Sequence, residues 1–205
     1  LVSDLRPEVI HSYSFYTNIL AWWVARGTAA IPIGAIRSSF VFERQTTGKL
    51  LGRLCARWPH AQVFNSSTAA QNAKQVAAFF RPPRCYVVKN GVDLDKFLPQ
   101  PLPERGYILA VGSLLPEKRW DRLIRAVSYL TEKGLGLEVL HAGSGPLRDE
   151  LQAMAKELHV EHVFRFLGNR HDIPSLLAGA AFLVLTSDVE GLPNVVLEAM
   201  AAGVP

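Results

Sequence analysis

The sequence predicts an α/β chain built on parallel sheets, and three observations carry that expectation. Apolar runs of strand length alternate with segments of helical period along the 205 residues. A proline-rich stretch, DKFLPQPLPERG, divides this alternation into two series of similar rhythm. The composition, 49% hydrophobic and 20% charged, excludes a disordered tail, a collagenous fibre and a small disulfide scaffold.

In the first series the strand candidates are Val9 to Tyr13, Ile31 to Ile36, Gln62 to Asn65 and Cys85 to Val88. Helical patterns lie between them at Tyr16 to Arg26, Arg44 to Trp58 and Ala69 to Phe80. The second series has strands at Tyr107 to Gly112, Leu137 to Ala142, Val163 to Leu167 and Phe182 to Thr186. Its helices are predicted at Trp120 to Leu130, Leu147 to Leu158, Ile173 to Ala178 and Asn194 to Ala201. Two Rossmann-like halves are expected, residues 1–100 and 101–205. The boundary falls near Gln100, where Pro99, Pro101 and Pro103 remove amide donors and stiffen the chain.

Charge is unevenly spread within the net +4. From Arg37 to Arg84 eight Lys or Arg face one acid, Glu43, an excess of seven, which leaves the remainder at minus three. A basic half fits an anionic partner or a solvated surface, and charge alone leaves both open. Lys49, Arg53 and Arg57 recur every fourth residue beside Leu50, Leu51 and Leu54, as in a basic amphipathic helix. Cys55 and Cys85 have no metal-ligand spacing and are expected to be reduced thiols of a cytosolic chain. No run of about 18 apolar residues suggests a membrane span. Asp93-Leu94-Asp95 imitates an acidic metal triplet but closes a domain, so it is set aside. Trp22, Trp23, Trp58 and Trp120 are expected to pack, and His11 and His171 to act as hydrogen-bonded scaffolding.

The most informative stretch is TSDVEGLPNVVLEAMAAGVP. Pro193 suits the first turn of a helix, where its missing N–H is not needed, so a helix should start at Leu192 to Asn194. Glu190 then lies just before that helix, and Glu198 lies about one turn inside it, leaning back toward the same end. Such a helix start favours phosphate through its amides and its dipole, the latter worth about 0.3 to 1 kcal/mol. Carboxylates beside a diphosphate would repel it unless they hold neutral hydroxyls, which points to sugars. The same spacing also fits two acids that merely complement the dipole.

Two further loops follow predicted strands. VGSLLPEKRWDRL brings Gly112, Ser113 and Lys118 to the edge where an open sheet binds anions, without a P-loop or a GxGxxG pattern. HAGSGPL has Gly143 and Gly145, which let a backbone approach a ligand closely or simply turn. Three loops at one sheet edge agree with each other.

In this ordered series the chain resembles the retaining glycosyltransferases of group 1, family four. The resemblance runs through RPEVIHSYS, FNSSTAAQNA, YVVKNGVDLDKFLP, VGSLLPEKRWDRLIRA, HAGSGPL, FRFLGNRHDI and the E-x7-E motif from Glu190 to Glu198. It implies the GT-B fold, two facing Rossmann-like domains, both incomplete here. The first strand and acceptor loop would precede Leu1, and the rest of the donor domain would follow Pro205. It implies transfer of a sugar from a UDP- or GDP-linked donor to an acceptor hydroxyl of a saccharide or lipid-linked saccharide, with no metal or other cofactor and no nucleic-acid partner.

By the same resemblance Glu198 holds the ribose, and Glu190, Gly191 and the amides of Leu192 and Asn194 hold the donor sugar and phosphates. Lys118 neutralises the leaving diphosphate, with Gly112, Ser113, Gly143 and Gly145 lining the donor site and Arg170 near the base. Lipid-linked acceptors in the family imply peripheral contact of Lys49, Arg53 and Arg57 with the cytoplasmic face of an anionic membrane. Two positions depart from the family pattern. Gly112-Ser113 and Lys118-Arg119 stand where Gly-Arg and Lys-Gly are usual, and Arg37 stands where many members have an active-site histidine. An arginine there can stabilise a departing phosphate but cannot act as a neutral base. A GT-B sugar-nucleotide epimerase and a non-catalytic nucleotide-sugar-binding fragment are the rival readings.

Overall fold

In the computed structural model, which describes residues 2–104 and 106–205, eight short strands form two parallel sheets of four. The first sheet keeps chain order, with β1 (Val9–His11), β2 (Ile31–Ile36), β3 (Ala61–Phe64) and β4 (Cys85–Val87) side by side. The second has β5 (Tyr107–Val111), β6 (Val139–Ala142), β7 (Phe164–Gly168) and β8 (Ala180–Val184) in the order β7-β6-β5-β8. The α/β class with two parallel sheets read from the sequence is therefore present. The chain divides into two compact units, Leu1–Asn90 with Val189–Leu192, and Gly91–Asp188 with Pro193–Pro205. Phe97, from the segment between the sheets, packs against a core cluster of the second unit.

The first unit is organised around two buried polar side chains. Asn18 opens α2 (Asn18–Ala25) after a 3-10 turn at Phe15–Thr17, and it is fully buried. The Ala35 amide donates to Asn18 Oδ1 at 3.0 Å, and Asn18 Nδ2 donates to the Ala35 carbonyl at 3.2 Å. These are the two bonds a neighbouring strand would make where β1 has ended. Asn18 Nδ2 also donates to Gln62 Oε1 at 2.9 Å. Gln62 Nε2 in turn donates to the carbonyls of Cys55 and Ala56 at 2.8 and 3.1 Å, which lie in the last turn of α4 and would otherwise lack partners. Gly34 makes room for the pair, since a Cβ there would lie 2.3 Å from Gln62 Oε1. One network thus ties α2, β2, β3 and α4 together.

The three helices expected in the first unit differ in extent. The single helix expected from Arg44 to Trp58 is two, α3 (Phe40–Thr47) and α4 (Lys49–Arg57), because Gly48 takes φ 85° between them. The helix expected from Ala69 to Phe80 is α5 (Ser67–Gln75), capped by the Ser66 hydroxyl. Its expected last turn is drawn elsewhere: the Arg53 guanidinium lies 3.7 Å from the Phe79 ring centre, and Arg57 donates to the Ala78 carbonyl at 2.6 Å. Helix α2 ends at Ala25, short of the expected Arg26. One face of the first sheet supports the cluster of Phe15, Ile36, Phe40, Cys55 and Phe64. The other presents Val9, Ile31 and Tyr86 to solvent.

The second sheet is covered on both faces, as parallel strands require. Ile108, Ala110, Val139 and Phe164 pack with Trp120 and Ile124 of α6 (Trp120–Glu132) and Leu151 of α7 (Arg148–Glu157). Leu109 and Leu140 face the other way, onto Leu176 and Leu177 of α8 (Ile173–Ala178) and Ala199 of α9 (Asn194–Ala201). β8 runs two residues earlier than expected. Leu185 and Thr186 have left the sheet, and the Thr186 hydroxyl donates to the Lys118 carbonyl at 2.8 Å.

His141 of β6 is fully buried between the rings of Trp120 and Phe166, with neither ring nitrogen bonded. Burial pulls its pKa down from 6.5 to about 4.

Two stability predictions follow from these packings. Replacing Gly34 with Ala should lower first-unit stability by about 2 to 4 kcal/mol, since it overpacks the site and breaks the amide network; native-state hydrogen exchange of β2 and β3 measures this. Because unfolded His141 takes up a proton near pH 6.5 and the folded residue only near pH 4, stability is constant above about 6.5 and falls between these values. The loss is about 3 kcal/mol by pH 4, and H141L should flatten that part of the curve in pH-dependent urea melts.

Candidate functional site

Parallel strands end together, so every loop that follows a strand of the second sheet opens on one edge. The chain leaves β5 toward β6 and β7 and later returns to add β8 on the other side of β5, which makes a switch point between β5 and β8. The loops on both sides of it are joined. Besides the bond from Thr186 to the Lys118 carbonyl, the Asp188 amide donates to the Glu117 carbonyl at 2.9 Å.

Beside the switch point, the ends of β5, β6 and β7 surround a cavity of about 320 Å³ lined by Gly112, Ser113, Gly143, Ser144, Asn169 and Arg170, with Val111, Ala142 and Ile173. The first two loops are zipped by backbone bonds: Gly112 N–H to the Ala142 carbonyl at 3.0 Å, and Leu114 N–H to the Ser144 carbonyl at 3.0 Å. Gly143 N–H reaches the Gly168 carbonyl at 2.8 Å, and Ser144 bonds Asn169 Oδ1 at 2.8 Å, which adds the third loop. Gly143 permits this closeness, because its φ is 149° and a Cβ would lie 1.9 Å from the Gly112 carbonyl oxygen. Beneath, Trp120 Nε1 donates to the Ser113 carbonyl at 2.9 Å and supports the loop from the core.

Of the residues expected at this edge, Gly112, Ser113, Gly143 and Arg170 meet in the cavity. Gly145 is one layer behind, its backbone against that of Leu114. Lys118 ends a 3-10 turn, Pro116–Lys118, rather than beginning the following helix, because Arg119 takes the left-handed conformation at φ 53° before α6. Arg119 is held by Asp121 and Asp188 at 3.0 Å each, and Arg122 meets Asp188 at 2.6 Å, so the Arg119 charge is spent locally. Arg170 is paired with Asp172 by two bonds of 2.8 and 2.5 Å, which hold that carboxyl below its usual range.

Helix α9 begins after Pro193, as expected, with Asn194 its first residue and Glu198 half-buried in its second turn. Burial pushes the Glu198 carboxyl above its usual range. Glu190, Gly191 and Leu192 fall within the first unit, where Asn90 Nδ2 donates to the Leu192 carbonyl at 2.9 Å. Arg37 lies at the end of β2 in that same unit. Ser144 and Asn169 join the lining without having stood out in the sequence; each is a polar residue beside a strand-end glycine, in HAGSGPL and FRFLGNRHDI.

Several other expectations are modified. Trp120 is buried and Trp22 stacks on Trp58 at 4.0 Å, but Trp23 is 63% exposed. His11 is exposed against Tyr13, with ring centres 4.6 Å apart. Asp93 pairs with Lys96 at 3.0 Å. In α4 Arg53 stacks on Phe79 and Arg57 bonds Ala78, while Leu50 is 72% exposed beside Lys49. Among the described residues no helix is long and apolar enough to cross a membrane.

Comparison with known proteins agrees with this geometry. Solved structures that share the GT-B fold include Anabaena HepE in complex with UDP and glucose, with a TM-score of 0.81, 20% identity, and coverage of 100% of this chain and 60% of that one. A sucrose-phosphate synthase from Thermosynechococcus elongatus also has a TM-score of 0.81, at 16% identity, covering 100% of this chain and 56% of that one. Among curated relatives, a UDP-Gal:alpha-D-GlcNAc-diphosphoundecaprenol alpha-1,3-galactosyltransferase of Escherichia coli is 26% identical over 229 residues. A GDP-mannose-dependent alpha-(1-6)-phosphatidylinositol dimannoside mannosyltransferase of Mycobacterium tuberculosis is 31% identical over 226 residues. Each alignment takes in 100% of this chain and 58% of the relative, so the chain spans a little over half their length. The family model for glycosyl transferases group 1 matches residues 95–205, more than half of the chain, and the chain belongs to that family.

Proposed function

We propose that this chain contributes both the donor-binding and the acceptor-side parts of a glycosyltransferase that moves a sugar from a nucleoside diphosphate sugar to an acceptor hydroxyl, with retention of the anomeric configuration. The observation that carries the reading is the cavity in the second unit, where three strand-end loops are fastened together beside the switch point of a parallel sheet. Open α/β sheets bind nucleotides at this kind of edge. Its glycine and serine backbone admits a close-packed phosphate, and its two serines and Asn169 suit hydroxyls and a base edge.

In this reading Glu198 accepts from the ribose hydroxyls. Its burial costs the carboxylate hydration, and two donor hydroxyls restore it. The Glu190-to-Asn194 segment, with Gly191 and the Leu192 and Asn194 amides, holds the sugar and phosphates. Lys118, where the chain enters α6, offsets charge on the departing diphosphate. Arg170 lies at the base end and needs its Asp172 partner to stay in place. In this reading positive side chains, and not a metal, stabilise the leaving group. Catalysis rests on positioning and on fixed charge rather than on a covalent nucleophile.

The relatives act, by their names, with UDP-galactose or GDP-mannose and on a diphosphoundecaprenol or phosphatidylinositol acceptor. This supports a UDP or GDP donor and a saccharide or lipid-linked acceptor here; we place a lipid-linked acceptor at the cytoplasmic face of a membrane as our own reading. The basic face of α4, with Leu50 open beside Lys49, fits that location.

Calorimetry should find UDP or GDP binding to this chain, unchanged by a chelator. E198A should weaken it about 10- to 100-fold, the loss expected for a charge-assisted hydrogen bond. Unaltered affinity removes Glu198 from the site. Co-sedimentation should retain the protein on phosphatidylglycerol vesicles and not on phosphatidylcholine alone, and joint replacement of Lys49, Arg53 and Arg57 by Gln should release it. Equal retention on both vesicles contradicts the membrane contact.

A further inference from the structure

The first sheet has its own polar edge. Because strand side chains alternate, His11 and Tyr13, Ala35 and Arg37, and Val63 and Asn65 project from the face opposite Ile36 and Phe64. Together with Asn90 they line a cavity of about 200 Å³ where these strands end. Ala35 and Val63 form its apolar floor, and the polar groups stand around it. The volume is below the about 300 to 1,000 Å³ of sites for larger ligands and accommodates a single sugar residue.

Two of the lining groups lack partners. Among the described residues the Arg37 guanidinium makes no hydrogen bond or ion pair. The one acid between Arg37 and Arg84, Glu43, is taken by the Ser38 hydroxyl at 2.9 Å. Asn65 is 6% exposed; its Nδ2 donates to the Arg37 carbonyl at 3.1 Å, while its Oδ1 is buried with no donor. Buried acceptors are rarely left so, and a hydroxyl from a ligand would satisfy this one. Arginine presents a planar fork of donors that matches a carboxylate or phosphate. The tilted rings of His11 and Tyr13, 4.6 Å apart, form a rim against which a sugar ring can lie.

We infer that this cavity is a subsite for a saccharide that carries an oxyanion, with Arg37 on the anion, Asn65 Oδ1 accepting from a ring hydroxyl, and His11 and Tyr13 against the ring. It deepens the proposed function and rests on it, because the saccharide held here is the acceptor. Arg37 then serves acceptor recognition rather than the departing phosphate.

The test is an NMR titration of the whole chain, isotopically labelled, with glucose, glucuronate, glucose 6-phosphate and inorganic phosphate. At least one anionic sugar should bind 10-fold or more tightly than glucose, shift the amides of residues 11–13, 36–38 and 63–66, and weaken as salt is raised. Which of the two binds identifies the anion as carboxylate or phosphate. R37Q should bring its affinity down to that of glucose, and R37K should keep part of the difference; Arg37 is exposed, so an otherwise superimposable spectrum verifies the fold. Equal affinity for glucose and both anionic sugars, shifts elsewhere, no change in R37Q, or inorganic phosphate binding as well as glucose 6-phosphate would each overturn the subsite. UDP titrated separately should move residues 112–113, 143–144 and 169–170. A failed UDP titration with a successful sugar titration defeats the donor reading alone, and the reverse defeats this inference alone.

Discussion

The parallel run of all eight strands is the constraint on which the rest depends. Parallel strands finish at one edge of their sheet, so the residues following β5, β6 and β7 collect there even though about thirty residues separate one strand end from the next. In the second unit the meeting of the first two loops is held by backbone, and the Ser144–Asn169 side-chain bond helps to add the third. The Gly112 and Leu114 amides bond the next loop, and the absence of a Cβ at Gly143 permits the approach. A loop fastened in this way presents amides and small hydroxyls in fixed positions, as a site that works by pre-arranged dipoles requires. Trp120, packed edge-on against the buried His141, supports the Ser113 carbonyl from below.

Charge is allotted by the same scaffold. Arg119 and Arg122 close on Asp188 and join the loops after β5 and β8, so these cations act as fasteners. Arg170 is held by Asp172 yet still lines the cavity. Among the described residues Arg37 makes no ion pair. These four arginines therefore differ in what they can offer a ligand, and the difference comes from the placement of three aspartates, Asp121, Asp172 and Asp188. The first unit reaches a comparable precision by other means, an amide relay from Asn18 to Gln62 that replaces part of a strand and ends a helix at once.

Much of this architecture was legible in the sequence because it rests on period. The eight apolar runs and most helices fall where their spacing puts them, and Pro193 marks the start of α9. Period fails where one residue decides. Gly48 splits a helix whose apolar pattern continues across it, and beyond the end of α5 at Gln75 Phe79 meets Arg53 in a contact distant in sequence. Asn18 and Gln62 were invisible for the same reason: a lone amide in an apolar run does not disclose its partner. The glycine loops stood out as motifs, whereas Ser144 and Asn169 inside them acquire meaning only when β6 and β7 lie side by side.

The central claim is that the joined loops of the second sheet form a nucleoside diphosphate site. A crystal structure of the chain grown with UDP tests it most directly. The account predicts phosphate density against the amides of Gly112, Ser113 and Gly143, the base toward Arg170, and the ribose within hydrogen-bonding distance of Glu198. UDP bound elsewhere, or a cavity that stays empty at saturating UDP, would contradict it.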